Sequence, residues 1–509
     1  MSMIKKCCIH TRFLIVFITL LIGTCSVMGA TLIVTKTADT ADGICDSDCS
    51  LREAIAVASS GDTVTFDSGL FMTPRIIRLG SMLLIDKNLT IHGVGGVIID
   101  GNNVCRVFDI NNLGTATLTD MTITGGNGSG IVITNDGGAI INSGNLTLVN
   151  VTVTGNSTSG GNGGGIANGS LSGATMTIVS STISDNSASG SVNGGGIYTA
   201  SGSLSITGST ISGNLTGSSG GGVYAQSGTL TISGSAIVNN RSSFDGGGVD
   251  GSAAISNTTI SGNRSARSGG GFYGSGTLTN ATVSNNSVAD NIISPGGGIF
   301  IPLGSSLAIG NSIVAGNVIL GPVNPTNGRD IGGAFTSNGN NLVQVRNGGS
   351  GFVSSDLPDG TDPLLASLAN NSGLSATDAL QINSPAIDAG NNALIVGSTD
   401  QRGAGFARIV FGTVDIGAYE IQGPTAAMVP VEGKVITVNG RPINKAKVTI
   451  SGPTSVCYAE TNPFGFYRFD SVEAGQTYIV NAAHRHYLFL PKIVNVLDPI
   501  SDLNFFAEP

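Results

Sequence analysis

Between about Gly114 and Asn317, apolar and polar positions alternate in short runs that break and restart at regular places. One unit reads Ser203-Leu204-Ser205-Ile206, then Ser209-Thr210-Ile211-Ser212-Gly213-Asn214, then Gly220-Gly221-Gly222-Val223-Tyr224. A period of two over so few residues marks a strand with one buried face, and the Gly, Ser and Asn clusters between runs mark turns. Each unit therefore predicts three short strands. The apolar residue after the glycine cluster recurs at Ile140, Ile166, Ile197, Val223, Val249, Phe272 and Ile299, at intervals of 26, 31, 26, 26, 23 and 27 residues. A second landmark keeps step: Asn156, Asn186, Asn214, Asn240, Asn263, Asn286 and Asn317 each end a Thr/Ser-Ile/Val strand.

Helical repeats of this length exist, but β-branched alternation and the scarcity of Ala/Leu/Glu/Lys runs exclude them. Three strands per turn of a solenoid fit instead. The predicted fold is all-β: a right-handed parallel β-helix, similar to the pectate-lyase-like solenoids, over 114–320, followed by a small antiparallel β-sandwich. Coils stack at the strand spacing of about 4.8 Å, so the rod should be on the order of 50 Å long. The glycines and asparagines need no functional explanation. Sharp corners call for positive φ, which both tolerate, and asparagines repeated at one corner can bond up the stack as a ladder.

The ends differ from the body. Lys5, Lys6 and Arg12 precede an apolar run from Phe13 to Ile22, and small residues lead to Gly29-Ala30. This is the layout of a secretory signal over 1–30, with a run too short to span a bilayer and with Met28 bulky for its place before the cut. Ile22-Gly23-Thr24-Cys25 makes a poor lipoprotein box, and no later segment is long and apolar enough to cross a membrane. A secreted or bacterial cell-surface protein is the expectation. Cleavage removes three cations and no acid, so Lys+Arg falls from 23 to 20 against 32 Asp+Glu, a net charge of about −12. That balance argues against nucleic acid and anionic lipid as partners. Of seven cysteines, Cys7, Cys8 and Cys25 leave with the signal. Cys45 and Cys49 are placed to pair in an oxidising compartment, whereas Cys105 and Cys457 have no evident partner and a zinc site lacks a second ligand pair.

Residues 31–113 read as a cap and first coils. Ser50 and Glu53 form a capping box that starts a short amphipathic helix through about Ala58, suited to cover the open end of a solenoid. Cys49-Ser50-Leu51-Arg52-Glu53-Ala54 also resembles the signature of the CSLREA N-terminal domain of exported β-helix proteins. Within 321–422, Asp362-Pro363-Leu364, Asn370-Asn371, Ser384-Pro385-Ala386-Ile387-Asp388-Ala389-Gly390, Asp400-Gln401-Arg402-Gly403 and Asp415-Ile416-Gly417-Ala418-Tyr419-Glu420 resemble the choice-of-anchor Q domain. Asp388, Asp400, Arg402, Asp415 and Glu420 read as an ion-pair network closing the C-terminal end of the rod. After a linker at 423–430, strand and turn signals over 431–509 are similar to carboxypeptidase regulatory-like domains, which implies a transthyretin-like sandwich. None of these resemblances brings a catalytic motif.

Candidate chemistry lies in the repeats. With Ile197, Val223, Val249, Phe272 and Ile299 inside, alternation puts Tyr198, Tyr224, Asp250, Tyr273 and Phe300 outside in one column. Aromatic faces a rung apart would suit successive sugar rings, although Tyr and Phe are also simply good strand residues. The few charges of the repeats gather beside them: Arg241, Arg264, Arg267, Asp245 and Asp250. Convergent carboxylates and an arginine sketch a glycosidase or a polysaccharide lyase, but the repeats contain no His or Lys to act as a base. Asp39, Asp42, Asp46 and Asp48 are candidates for calcium, the one cofactor suggested, or serve the helix dipole. Three functions follow: adhesion to polysaccharide, matrix or another envelope component without catalysis, a polysaccharide-cleaving enzyme, or a purely structural envelope component.

Overall fold

The computed structural model describes residues 29–128, 134–169, 173–289, 296–321, 329–422, 428–452, 456–474, 476–496 and 498–507. The signal segment up to residue 28 and linker residues 423–427 lie outside them. Within 31–350 the described strands form a parallel β-solenoid, each pairing with the equivalent strand one coil away. A typical coil holds four short strands where three are predicted: Ile197–Thr199, Ser203–Thr207, Thr210–Ser212 and Leu215–Thr216. The first two share one sheet and are parted only by a bend at Ala200-Ser201-Gly202. Thr210–Ser212 belongs to a second sheet, with eleven strands among the described residues, and Leu215–Thr216 to a third with seven.

The alternation places the predicted apolar column inside. Ile140, Ile166, Ile197, Val223, Val249, Phe272 and Ile299 follow one another in register and are fully buried. The ladder asparagines are buried too. From Asn156 to Asn317 each side chain donates Nδ2 to the Oδ1 of the next at 2.9–3.0 Å, and Asn317 ends the series on Asp330 Oδ1 at 2.8 Å. They do not themselves take the positive φ predicted for them. The residue before each does, as at Gly155, Asp185, Gly213 and Asn239, because the asparagine must turn its amide into the stack.

A second ladder runs at the corner before the second sheet. Ser181 N donates to Ser209 Oγ at 3.0 Å, Ser209 N to Ser235 Oγ at 3.1 Å, and each hydroxyl donates to a carbonyl of its own coil. Ser209→Ala strips the Ser181 amide and the Thr207 carbonyl of a buried partner. It should cost about 1–2 kcal/mol, read as earlier thermal unfolding and faster hydrogen exchange at the Ser181 amide.

The N-terminal end is covered by a helix, Leu51–Val57, whose N-cap Ser50 and third residue Glu53 form the capping box. Leu51, Ala54 and Ile55 join the solenoid core. Glu53 is buried, accepts from Ser50 N at 2.7 Å and Asp42 N at 3.1 Å, and these bonds pull its carboxyl down to about 2. Cys45 and Cys49 are joined by a disulfide, Cys105 is buried and free, and Cys457 is exposed and free.

Residues 363–422 do not close the C-terminal end, as their sequence suggested. They return along the flank of the rod and cover the outer face of the second sheet. Gln401 Oε1 accepts from Thr259 Oγ1 at 2.6 Å, Ala418 N donates to Thr282 Oγ1 at 3.0 Å, and Asn340 Nδ2 reaches Ala389 O at 2.9 Å. The cause is visible in the sheet: its outer positions are short or apolar here, and Ile313, Ala315 and Leu342 pack with Leu380, Ala386 and Ile416 of the strap. The charged residues form buried pairs within it, Arg402 with Asp400 at 2.6 Å and Arg408 with Glu420 at 3.9 Å.

Residues 428–507 build two small sheets over one apolar core. Met428–Ile436 pairs antiparallel with Phe466–Glu473 and parallel with Phe505–Phe506. The other sheet is antiparallel, in the order Val456–Glu460, Lys447–Ser451, Gln476–Ala483, Lys492–Val496. Met428, Val429 and Pro430 belong to the first strand of the sandwich, not to the linker. Pro430, which has no N–H, stands where the register shifts between Val429 and Val431.

Candidate functional site

The first sheet aligns Ala167, Tyr198, Tyr224, Asp250, Tyr273 and Phe300 as one outward column. The ring faces are not free, which corrects the sequence expectation. Tyr198 and Tyr224 stack on each other with centroids 5.8 Å apart and planes 10° apart, and Tyr273 and Phe300 do so at 5.6 Å and 20°. Neighbouring rings in a parallel register shield one another, so they offer edges and hydroxyls, not faces, to a ligand. Tyr198 is buried and its hydroxyl bonds Gln226 Oε1.

Asp250 interrupts this stack, with a ring pair on either side. It is only 9% exposed. Gly246 explains how it fits: at φ +58°, a Cβ there would stand 2.6 Å from the Asp250 Cβ, so only glycine lets the side chain fold against the corner. Burial, and then the charge of Asp245, push the Asp250 carboxyl up to about 7, against a bond from Ser219 that lowers it. Burial also raises Asp245, while Arg267 and Ser268 pull it down. Burial raises Tyr273 as well, with Asp245 and Asp250 adding to the effect. The site thus holds a carboxyl raised to about 7, beside a second carboxyl group that burial also raises, an arginine and a phenol.

Arg267 is the cation near this group, with its guanidinium carbon 5.4 Å from the Phe244 ring centroid. Arg241 and Arg264 are elsewhere. They are register neighbours on the third sheet, whereas Asp250 lies on the first, and both are exposed. Sequence reasoning missed the row that carries Asp245. Asn162 N donates to Asp136 Oδ1 at 2.6 Å, Asn193 N to Asn162 Oδ1 at 2.9 Å, Ser219 N to Asn193 Oδ1 at 3.2 Å and Asp245 N to Ser219 Oγ at 3.3 Å. Its signal was present: each of these residues immediately precedes a glycine cluster.

Beside the column lies a cleft of about 280 Å³ lined by Gly228–Thr231, Ser252–Ala254, Gly276 and Thr277. It arises because the two strands of the first sheet, parted by the bend in other coils, fuse into Val249–Ser256 and Phe272–Thr279. Three residues are lost there, which is why Val249 and Phe272 stand 23 apart. Asp250, Ser252 and Ala254 of one strand and Tyr273, Ser275 and Thr277 of the next alternate onto this outer face.

The four calcium candidates do not converge. Asp39 accepts from Arg52 Nε at 2.8 Å and from Gly80 N, Asp48 pairs with Lys36 at 3.1 Å, and Asp42 and Asp46 accept from Ile44 N and Asp48 N in turns of their own. Among the described residues no three His, Cys, Asp or Glu side chains lie close enough to hold a metal ion.

No family model matches the chain, and no curated protein does. Among solved structures, the chain is similar to the crystal structure of pectate lyase Pel9A, with 15% identity, coverage of 78% of this chain and 97% of that one, and a TM-score of 0.47. That likeness concerns the fold alone. The three resemblances to exported-protein domains therefore rest on the motifs quoted above, and the site on its own geometry. No described helix is long and apolar enough to cross a membrane.

Proposed function

We propose that this is an exported, surface-associated solenoid that binds polysaccharide across the outer face of its first sheet, at the cleft beside Tyr224, Asp250 and Tyr273. The observation that carries the reading is the cleft itself: an open trough floored by Gly, Ala, Ser, Thr and Leu230, on the same strands that carry Asp250 and Tyr273 two or more residues away. Hydroxyl-rich ligands suit such a surface, where short side chains leave room and polar edges fix orientation. The segment before Thr31 and the resemblances to the CSLREA and choice-of-anchor Q domains support export. The similarity to carboxypeptidase regulatory-like domains supports a transthyretin-like, non-catalytic role for the sandwich.

One observation favours a second reading, cleavage of the bound glycan: Asp250 has a carboxyl near neutrality beside Asp245, the arrangement general acid–base chemistry requires. The test incubates the chain from Thr31 onward with acidic and neutral polysaccharides and reads retention, new reducing ends and unsaturated uronates together. Retention without product is expected. Tyr273→Phe should weaken it by removing one hydroxyl, and Tyr224→Ala with Tyr273→Ala should lower it about tenfold or more, roughly 1.4 kcal/mol. Product that disappears in Asp250→Asn would replace binding by catalysis, and no retention on any glycan would overturn both.

A further inference from the structure

The sandwich carries a surface that glycan binding does not use. Between the strands Gln476–Ala483 and Lys492–Val496 the chain forms a loop, His484-Arg485-His486-Tyr487-Leu488-Phe489-Leu490-Pro491. Its base is fixed: Tyr487 N donates to His484 O at 3.4 Å, and His486 N to His484 Nδ1 at 3.3 Å. Phe489 turns back onto the core of the sandwich. The residues on either side of it point the other way, with Leu488 77% and Leu490 67% exposed, and Ile493 at the start of the next strand 78% exposed.

Aliphatic side chains held this far into water, with an aromatic between them pinned to the core, cost free energy unless something covers them. The charge around them indicates what. From Ala474 to Leu497 the chain has Arg485, Lys492, His484 and His486 and not one Asp or Glu, in a chain that is acidic as a whole. A cation beside an apolar tip matches a bilayer with anionic headgroups: the leucines enter the acyl boundary while Arg485 stays at the phosphates, Lys492 lying farther back with its ammonium 5.6 Å from the Phe505 ring centroid. The net negative charge of the whole chain does not oppose this at short range, because fields are screened within about 8–10 Å at ordinary ionic strength.

We propose that the 484–491 loop is a peripheral membrane contact that docks the sandwich on a bilayer carrying anionic lipid. The contact is independent of the glycan-binding reading and would retain the exported protein at a surface without a spanning segment. The chain has no tryptophan, so Leu488→Trp introduces a sole reporter at the tip. The chain beginning at Thr31 is used, since the Phe13–Ile22 run would itself enter lipid. With phosphatidylglycerol–phosphatidylcholine vesicles, the emission of this introduced indole should shift to the blue, and vesicle sedimentation should carry the protein down. Leu488→Asp with Leu490→Asp should reduce the partition coefficient about tenfold or more, and Arg485→Glu should reduce binding to the level seen with phosphatidylcholine alone. Both changes sit on exposed positions, so an unchanged melting curve certifies the fold. Absence of association, an unshifted emission from sedimented protein, equal binding of the double aspartate variant, or vesicle binding undiminished by Arg485→Glu would each overturn the proposal.

Discussion

Asp250→Asn should make the solenoid more stable than the native chain at about pH 8 and nearly equal to it at about pH 4. The sign follows from the raised carboxyl. An ordinary aspartate titrates near 3.8, whereas folding pushes Asp250 up to about 7. Below both values the folded and unfolded chains each hold the proton and the group contributes nothing. As pH rises from about 4, the unfolded chain gives up its proton and the native chain keeps it, so native stability falls until about pH 7 and stays at its lower level above that. A displacement of this size corresponds to roughly 4 kcal/mol. Asparagine has the same shape and no charge, so it escapes the penalty. Urea midpoints of both chains at the two ends of this range measure the effect, and parallel pH slopes would show that Asp250 is not held as described.

The same position shows where the sequence was legible and where it was not. The column Tyr198, Tyr224, Asp250, Tyr273 and Phe300 followed from alternation alone, because a parallel register repeats the inside–outside pattern of one coil in the next. The asparagine ladder followed from its period. What did not follow was anything set by contacts between coils or from distant chain. Ring stacking turned the tyrosine faces away from solvent, a three-residue deletion made the cleft, and Arg241 and Arg264 fell on a different sheet from Asp250 although they lie within a few residues of the glycine clusters. The interval of 23 was visible, but its meaning depends on which strands fuse. The strap was misplaced for a similar reason. Its acids and arginines read as a network, but only the short and apolar outer positions of the second sheet decide that the network lies along the flank.

That strap gives the other large effect. Arg408→Ala should detach residues 363–422 from the second sheet while the coils beneath remain folded. Arg408 is fully buried, and its Nη2 donates to Asp415 O at 3.1 Å and Gly417 O at 2.6 Å, bracing the turn that carries Ile416 into the apolar contact with Ile313. Removal leaves two carbonyls without a charged donor and empties the volume of a long side chain, a loss of about 3–5 kcal/mol. Burial, and Asp415 beside it, push the Glu420 carboxyl up, and Arg408 pulls it back. In the native strap the carboxyl already stands at about 8 and holds its proton at neutral pH; without Arg408 it rises further, so the variant is most stable at acid pH and loses stability from the ordinary glutamate range upward until the raised value is passed. Glu420→Gln in the same chain should flatten that dependence. Limited proteolysis gives the readout: cleavage confined to 363–422, faster at alkaline than at acid pH and with strand circular dichroism retained, is the expected pattern. Cleavage spread through the coils would mean that the strap is a structural member of the rod, and a strap as resistant as in the native chain would mean that Arg408 does not brace it.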